Sequence, residues 1–298
     1  MLRKRQFCEG HPFAGHQLLL PCNRAGTVDL FLVDPATGDA RNLTCNGAMN
    51  RYPAWSPDGK RIVFTSDVRG VHDVYVMSAS GARLRQLTEE SPSTHDFLPT
   101  WGPDNKIVFG RDIVGCVEIV MMNEDGSDQR VVAPGADPCL SPDGRHIAFT
   151  KKVGGGYCLF KMGADGRGVR QLTTHENQIG AVTPSWSPDG RKILFVDQVG
   201  EALEIFVCLA ASGRITQLTH LGKISTSPAW SPDGKWISFR VTDTPFWRDQ
   251  AVYAAAQERR DTLRPVWVMG ADGEAPRPID ALRYQCATDG SRAAWRPI

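Results

Sequence analysis

Four of the seven histidines fall in short polar segments with other groups able to do chemistry. "TEESPSTHDFLP" carries His95 and Asp96. "TTHENQIGAVTP" carries His175 beside Glu176, "THLGKISTSP" carries His220, and "SDVRGVH" carries His72. Neutral imidazole is a common metal ligand and a general base near neutral pH. His95, His175 and His220, with Asp96 or Glu176, are therefore the candidate ligands of a divalent metal ion. No His-x-His or HExxH spacing focuses them. Arg51 and Tyr52 in "TCNGAMNRYP" and Arg111 in "GRDIVG" add cationic and aromatic groups suited to a ligand or partner. A second set of carboxylates, Asp58, Asp104, Asp143, Asp189 and Asp233, recurs between Pro and Gly or Asn. Asp in that context ties a turn by accepting backbone N–H bonds, so these five are read as structural.

What must position these residues is a repeat. Pro53-Ala-Trp-Ser-Pro-Asp-Gly59 returns at Pro99–Asn105, Pro138–Gly144, Pro184–Gly190 and Pro228–Gly234. The Trp or Leu at its third place stands at 55, 101, 140, 186 and 230, in steps of 46, 39, 46 and 44. Each copy leads into an apolar strand ending in Phe64, Phe109, Phe149, Phe195 or Phe239. A third strand follows, then a turn such as Glu124-Asp-Gly126. A fourth strand ends in Gln86-Leu-Thr88, Gln171-Leu-Thr173 or Gln217-Leu-Thr219. Asp-Gly is a strong hairpin signal because Gly tolerates the positive φ of tight turns. Four short strands per forty-odd residues mark the blades of an all-β propeller. Leu18–Leu20, Asp29–Val33 and Arg41–Thr44 match the second to fourth strands of a further blade. Its first strand matches Ala293-Ala-Trp-Arg-Pro297 at the other end. The expectation is a single propeller domain over 1–298 with six blades, closed by the C-terminal strand joining the N-terminal blade.

The repeat also works as a ruler. Phe64 to Met77, Phe109 to Met122 and Phe149 to Met162 are each 13 residues, whereas Phe239 to Met269 is 30. The extra seventeen lie in "VTDTPFWRDQAVYAAAQERRDTLRP". Thr244-Pro245 reads as a helix start, and Ala, Gln, Glu and Arg favour a helix over 244–263. Phe246, Trp247 and Arg248 would arm this insertion as a lid or docking element. Loop order places it with the histidine segments, on the face built by the strand 2–3 and 4–1 connections.

Bulk properties exclude several classes. The 298 residues are 41% hydrophobic and 22% charged, with net charge +1 and pI near 7.6. Nothing here predicts an electrostatic hold on nucleic acid or an anionic membrane. No run of eighteen apolar residues predicts membrane insertion. The start MLRKRQFCEGHPFAG lacks an apolar h-region, which as written predicts a cytoplasmic chain. The eight cysteines form no CxxC pair and read mostly as buried free thiols.

The Pro-x-Trp-Ser-Pro-Asp-Gly-Lys/Arg-x-Ile-x-Phe unit with its downstream Gln-Leu-Thr resembles the WD-repeat-like blades of TolB-type propellers, over about Leu18 to Pro297. The resemblance implies a periplasmic docking module, the compartment expected if the true N-terminus is missing. It also implies a protein or peptide partner. Some propeller lyases similar to this family hold a metal with loop histidines.

Two functions follow. The first is a non-catalytic scaffold that binds a protein or ligand through its variable loop face and channel mouth, with no cofactor. Arg51, Tyr52, His95, Asp96, Arg111, His175, Phe246, Trp247 and Arg248 are its candidate contacts. The alternative is a lyase or hydrolase assisted by a divalent metal and acting on a carbohydrate-like ligand, a sugar acid or lactone. There is no GxSxG elbow and no P-loop, so the scaffold is favoured.

Overall fold

Each repeat builds one antiparallel sheet because its second strand is apolar on both faces and needs cover on both sides. A computed structural model describes residues 13–24, 27–89, 93–174, 182–242, 265–279 and 292–297. The first full repeat pairs β4 (Arg51–Trp55), β5 (Arg61–Ser66), β6 (Asp73–Ser78) and β7 (Arg85–Gln86) in that order. The next pairs β8 (Thr94–Trp101), β9 (Lys106–Ile113), β10 (Cys116–Asn123) and β11 (Arg130–Pro134). β12 (Ala136–Leu140), β13 (His146–Val153), β14 (Gly156–Gly163) and β15 (Arg170–Gln171) form the third.

Two further units are β16 (Val182–Trp186), β17 (Lys192–Val199), β18 (Ala202–Leu209) and β19 (Ile215–Gln217), then β20 (Ile224–Trp230), β21 (Trp236–Thr242), β22 (Val266–Gly270) and β23 (Arg277–Pro278). One parallel pairing, Leu203 with Ile224, joins these two into a larger sheet. At the N-terminus β1 (Leu18–Arg24), β2 (Thr27–Val33) and β3 (Ala40–Asn42) take β24 (Ala294–Trp295) as an edge partner beside β1. Leu18 faces Trp295 there, in the register that sets Ile62 opposite Trp55.

The apolar side chains fill the spaces between units. Phe64, Phe109, Phe149, Phe195 and Phe239 are all buried, each in a cluster that draws on two neighbouring units. Leu18, Leu20 and Trp295 likewise pack with Ala229, Val266 and Val268 of the last repeat. Burying one such Phe is worth roughly 2–3 kcal/mol. Trp186 Nε1 donates to the Cys139 carbonyl of the preceding unit at 3.0 Å, and Trp55 Nε1 to Ala294 at 3.2 Å. Trp186 and Trp55 therefore stitch unit to unit.

The repeated Asp does tie its turn. Ser141 and Ser187 hydroxyls donate to Asp143 and Asp189, whose Oδ1 also accept the N–H two residues on, at 3.1 and 3.0 Å. These serine bonds first, then the backbone bonds, hold both carboxyls below the ordinary carboxylate range. A depressed folded pKa means stability that is present above the unfolded pKa and lost as pH falls through the folded one. Asp143→Asn/Asp189→Asn should be less stable than the parent at pH 7, and the gap should shrink below about pH 4. Thermal unfolding between those pH values checks this; a gap that stays constant would count against the charge.

The second repeat departs from the pattern. A Cβ on Gly102, in place of the serine, would lie 2.0 Å from Leu140 Cδ2, so a side chain there requires Leu140 to move. Its turn becomes a 3-10 segment, Pro103–Asn105, with Asp104 and Asn105 left-handed at φ 55° and 57°. At the fourth strands the Thr of Gln-Leu-Thr replaces a missing ladder partner. The Thr88, Thr173 and Thr219 hydroxyls accept the N–H of Val74, Leu159 and Ile205 at 2.8–2.9 Å.

Cys22 is disulfide-bonded, one exception to the expectation of mostly buried free thiols. Cys139, Cys158 and Cys208 are free and buried, whereas Cys45 and Cys116 are free and exposed. Among the described residues no helix is long and apolar enough to cross a membrane.

Candidate functional site

Two sides of the molecule differ in kind. On one lie the Pro-Asp-Gly turns beside the strand 3–4 turns, joined by bonds such as Ala164 N to Arg145 O at 2.9 Å. On the other the strand 2–3 hairpins touch the segments that enter the next unit. Asp96 N donates to His72 O at 2.9 Å, Met49 N to Asp67 Oδ1 at 2.7 Å, and Leu203 N to Lys223 O at 3.0 Å. The first strands of all the units meet around one central cavity of about 480 Å³.

The candidate residues divide along these lines. His95 and Asp96 are successive residues of β8 and point to opposite sides of it, as strand geometry requires. His95 is exposed, with its ring 6.2 Å from that of His72. Asp96 is 1% exposed and faces Arg111 across the β8–β9 ladder. Arg111 Nε and Nη2 donate to its two oxygens at 2.8 and 3.2 Å, a fork that also fixes the guanidinium 5.1 Å over the Phe109 ring. Asp96 thus has both oxygens engaged by Arg111, whose Nη2 also donates to Gln129 Oε1 at 3.2 Å. Tyr52, next to Arg51 at the start of β4, lines the cavity. His220 is exposed between β19 and β20. Among the described residues no three His, Cys, Asp or Glu come together to hold a metal. His175, Phe246, Trp247, Arg248 and the expected helix at 244–263 lie outside the described residues.

The geometry also shows residues that motif reading passed over. β9–β10, β13–β14 and β17–β18 are joined by two-residue hairpins at 114–115, 154–155 and 200–201. The last residue before each turn is β-branched: Ile113, Val153 and Val199, 41%, 41% and 42% exposed. Three consecutive units thus display an apolar side chain at the same register position. Val114, at the first of these tips, is 81% exposed and left-handed, φ 52°. A β-branched residue there is a steric outlier where Asn would be at ease.

Comparison with known proteins accounts for this architecture. A model of the family described as "TolB beta propeller domain" matches residues 11–182, more than half of the chain. The chain belongs to this family. A TolB homolog from Chlorobium luteolum is 29% identical over 139 residues, 45% of this chain and 31% of that protein. The Tol-Pal system protein TolB of Bordetella pertussis is 31% identical over 118 residues, 38% of this chain and 27% of its own length. The match to this TolB-type propeller therefore spans about a third or less of these curated relatives. The TolB crystal structure from Acinetobacter baumannii superposes with a TM-score of 0.72 at 20% identity, covering 96% of this chain and 67% of that one. That likeness is one of fold, and it covers the described units from end to end.

Proposed function

We propose that this TolB-type propeller is a non-catalytic docking scaffold whose partner is a protein held on the hairpin face. The observation that carries the reading is the row of Ile113, Val153 and Val199, with strained Val114 at its end. Apolar side chains raised on rigid two-residue turns offer contact area with little entropy to lose on binding. A left-handed Val is retained at a cost of about 1 kcal/mol, which selection for stability alone would remove. The relatives described as Tol-Pal system proteins support a partner of the same kind. His95, Tyr52 and Arg51 would sit at the edge of this surface, and the reading requires no cofactor. It places the protein in an oxidising compartment such as the periplasm, where the Cys22 disulfide persists.

The same reading takes the four-stranded units as six blades in a closed ring. β24 pairing with β1, and Trp295 packing against the last repeat, support closure. A ring whose first strands enclose one cavity gives the hairpins a fixed spacing, as docking requires.

Ile113→Thr/Val153→Thr/Val199→Thr keeps β-branching and should leave the melting temperature within about 2 °C while abolishing capture of the natural partner. Val114→Asn should raise stability by about 1 kcal/mol and weaken capture. Quantitative affinity capture from the source cells, parent against variants, reads both. Equal recovery of every protein by parent and triple variant would end the proposal.

A further inference from the structure

The residue before the Pro of each first strand sits at a bulge and is left-handed: Tyr52, Leu98, Asp137, Thr183 and Ser227, with φ between 48° and 55°. Arg292 stands at the matching place before Ala293-Ala-Trp295. One circle of equivalent positions at the end of the central cavity thus holds tyrosine, leucine, threonine, serine and a single opposite pair of charges. Asp137 and Arg292 both line the cavity.

The two charges sense each other but do not meet. Burial holds the Asp137 carboxyl above its ordinary range, against the lowering pull of the Thr183 N–H bond and then of Arg292. Among the described residues the two form no direct ion pair. Arg292 Nη2 reaches across to the Pro184 carbonyl at 2.7 Å. Its Nε is buried with no hydrogen-bond partner, and so is the Thr183 hydroxyl beside it. Asp137 is bonded through Oδ2 alone, by Thr183 N and the Thr150 hydroxyl, both at a long 3.3 Å. The residue is half-buried and lines the cavity. The buried Arg292 Nε forgoes about 1–3 kcal/mol, which a ligand can supply, and Asp137 keeps Oδ1 unbonded for a donor.

The charge pattern selects the ligand. A lone anion would be drawn to Arg292 and repelled by Asp137, and a lone cation the reverse. A molecule with both charges a few ångströms apart satisfies both. Tyr52, Leu98, Pro53 and Pro99 add apolar wall to the same cavity. We propose that this end of the cavity binds a small zwitterion, an α-amino acid with an apolar side chain, its carboxylate on Arg292 and its ammonium on Asp137. The backbone bulge explains why the site is here: the left-handed residue breaks the ladder between β12 and β13, leaving Ala136 and Cys139 as its paired flanks.

Calorimetric titration with three molecules of one shape tests this: L-leucine, 4-methylpentanoate without the ammonium, and 3-methylbutylamine without the carboxylate. Leucine should bind saturably at millimolar concentration, and each analogue at least about tenfold more weakly. Arg292→Gln should weaken leucine by a similar factor and abolish its advantage over the amine; Asp137→Asn should abolish its advantage over the acid. Leucine that fails to saturate, or analogues that bind as well as leucine, would overturn the proposal on the parent protein alone. The hairpin triple variant should bind leucine as the parent does, so this result stands apart from the docking surface.

Discussion

Removing residues 293–298 is expected to abolish cooperative unfolding, or to lower stability by more than about 4 kcal/mol, out of the 5–15 kcal/mol usual for a domain. The segment is short, but its contacts reach three units. Ala294 and Trp295 complete the ladder of β1. Trp295 fills the cluster shared with Leu18, Leu20, Val266 and Val268, and its Nε1 donates to the Ser238 hydroxyl at 2.9 Å. Arg296 bonds Gln17 Oε1 at 2.7 Å and lies 5.2 Å over the Trp55 ring, while Trp55 donates back to Ala294. Trp295→Ala alone should cost about 3–5 kcal/mol, since the neighbours are held by two different sheets and cannot collapse into the gap. Urea unfolding followed by tryptophan fluorescence and by circular dichroism measures both. A truncated chain that unfolds as cooperatively as the parent, within about 1 kcal/mol, would show that β24 does not close the ring.

Asp96→Ala should cost about 3 kcal/mol, at the lower end of the range for breaking a buried pair, because the Arg111 side chain keeps 11% of its surface. The loss comes from removing a fully buried carboxylate that accepts two guanidinium bonds beside the Phe109 ring. Asp96→Leu/Arg111→Met should recover most of it, since both desolvation penalties vanish together. A double-mutant cycle in urea therefore reports a coupling of about 2 kcal/mol or more. The outcome bears on function as well. If Asp96 served a ligand instead, its removal would leave stability nearly unchanged and reduce binding. The buried fork between β8 and β9 argues for the first result.

Much of the fold was legible because its signals are local and repeated. Asp between Pro and Gly names a turn wherever it occurs, and here the Ser141–Asp143 and Ser187–Asp189 bonds close it. The 13-residue spacing from Phe to Met survives as ladder register, with Ile62 opposite Met77 and Ile107 opposite Met122. The candidate site was less legible. Asp96 and Arg111 look alike as free polar groups in a loop-rich stretch. Only the register of β8 against β9 shows that Asp96 is engaged by Arg111. Asp137 carried a signal that went unread: it stands where the other repeats have Tyr52, Leu98, Thr183 and Ser227. Val114 carried another, a β-branched residue where a two-residue turn asks for Asn.

By itself the sequence determined the strands, their turns and their order, and it paired the last strand with the first. Those choices depend on backbone preference and on which side chains must leave water, and both are written within a few dozen residues. Tertiary structure decided which polar groups remain available. Asp96 is spent on Arg111, whereas Arg292, far away in the chain, arrives opposite Asp137 with a donor unmatched. Availability depends on distances between units, and those distances are set only when the sheets pack face to face.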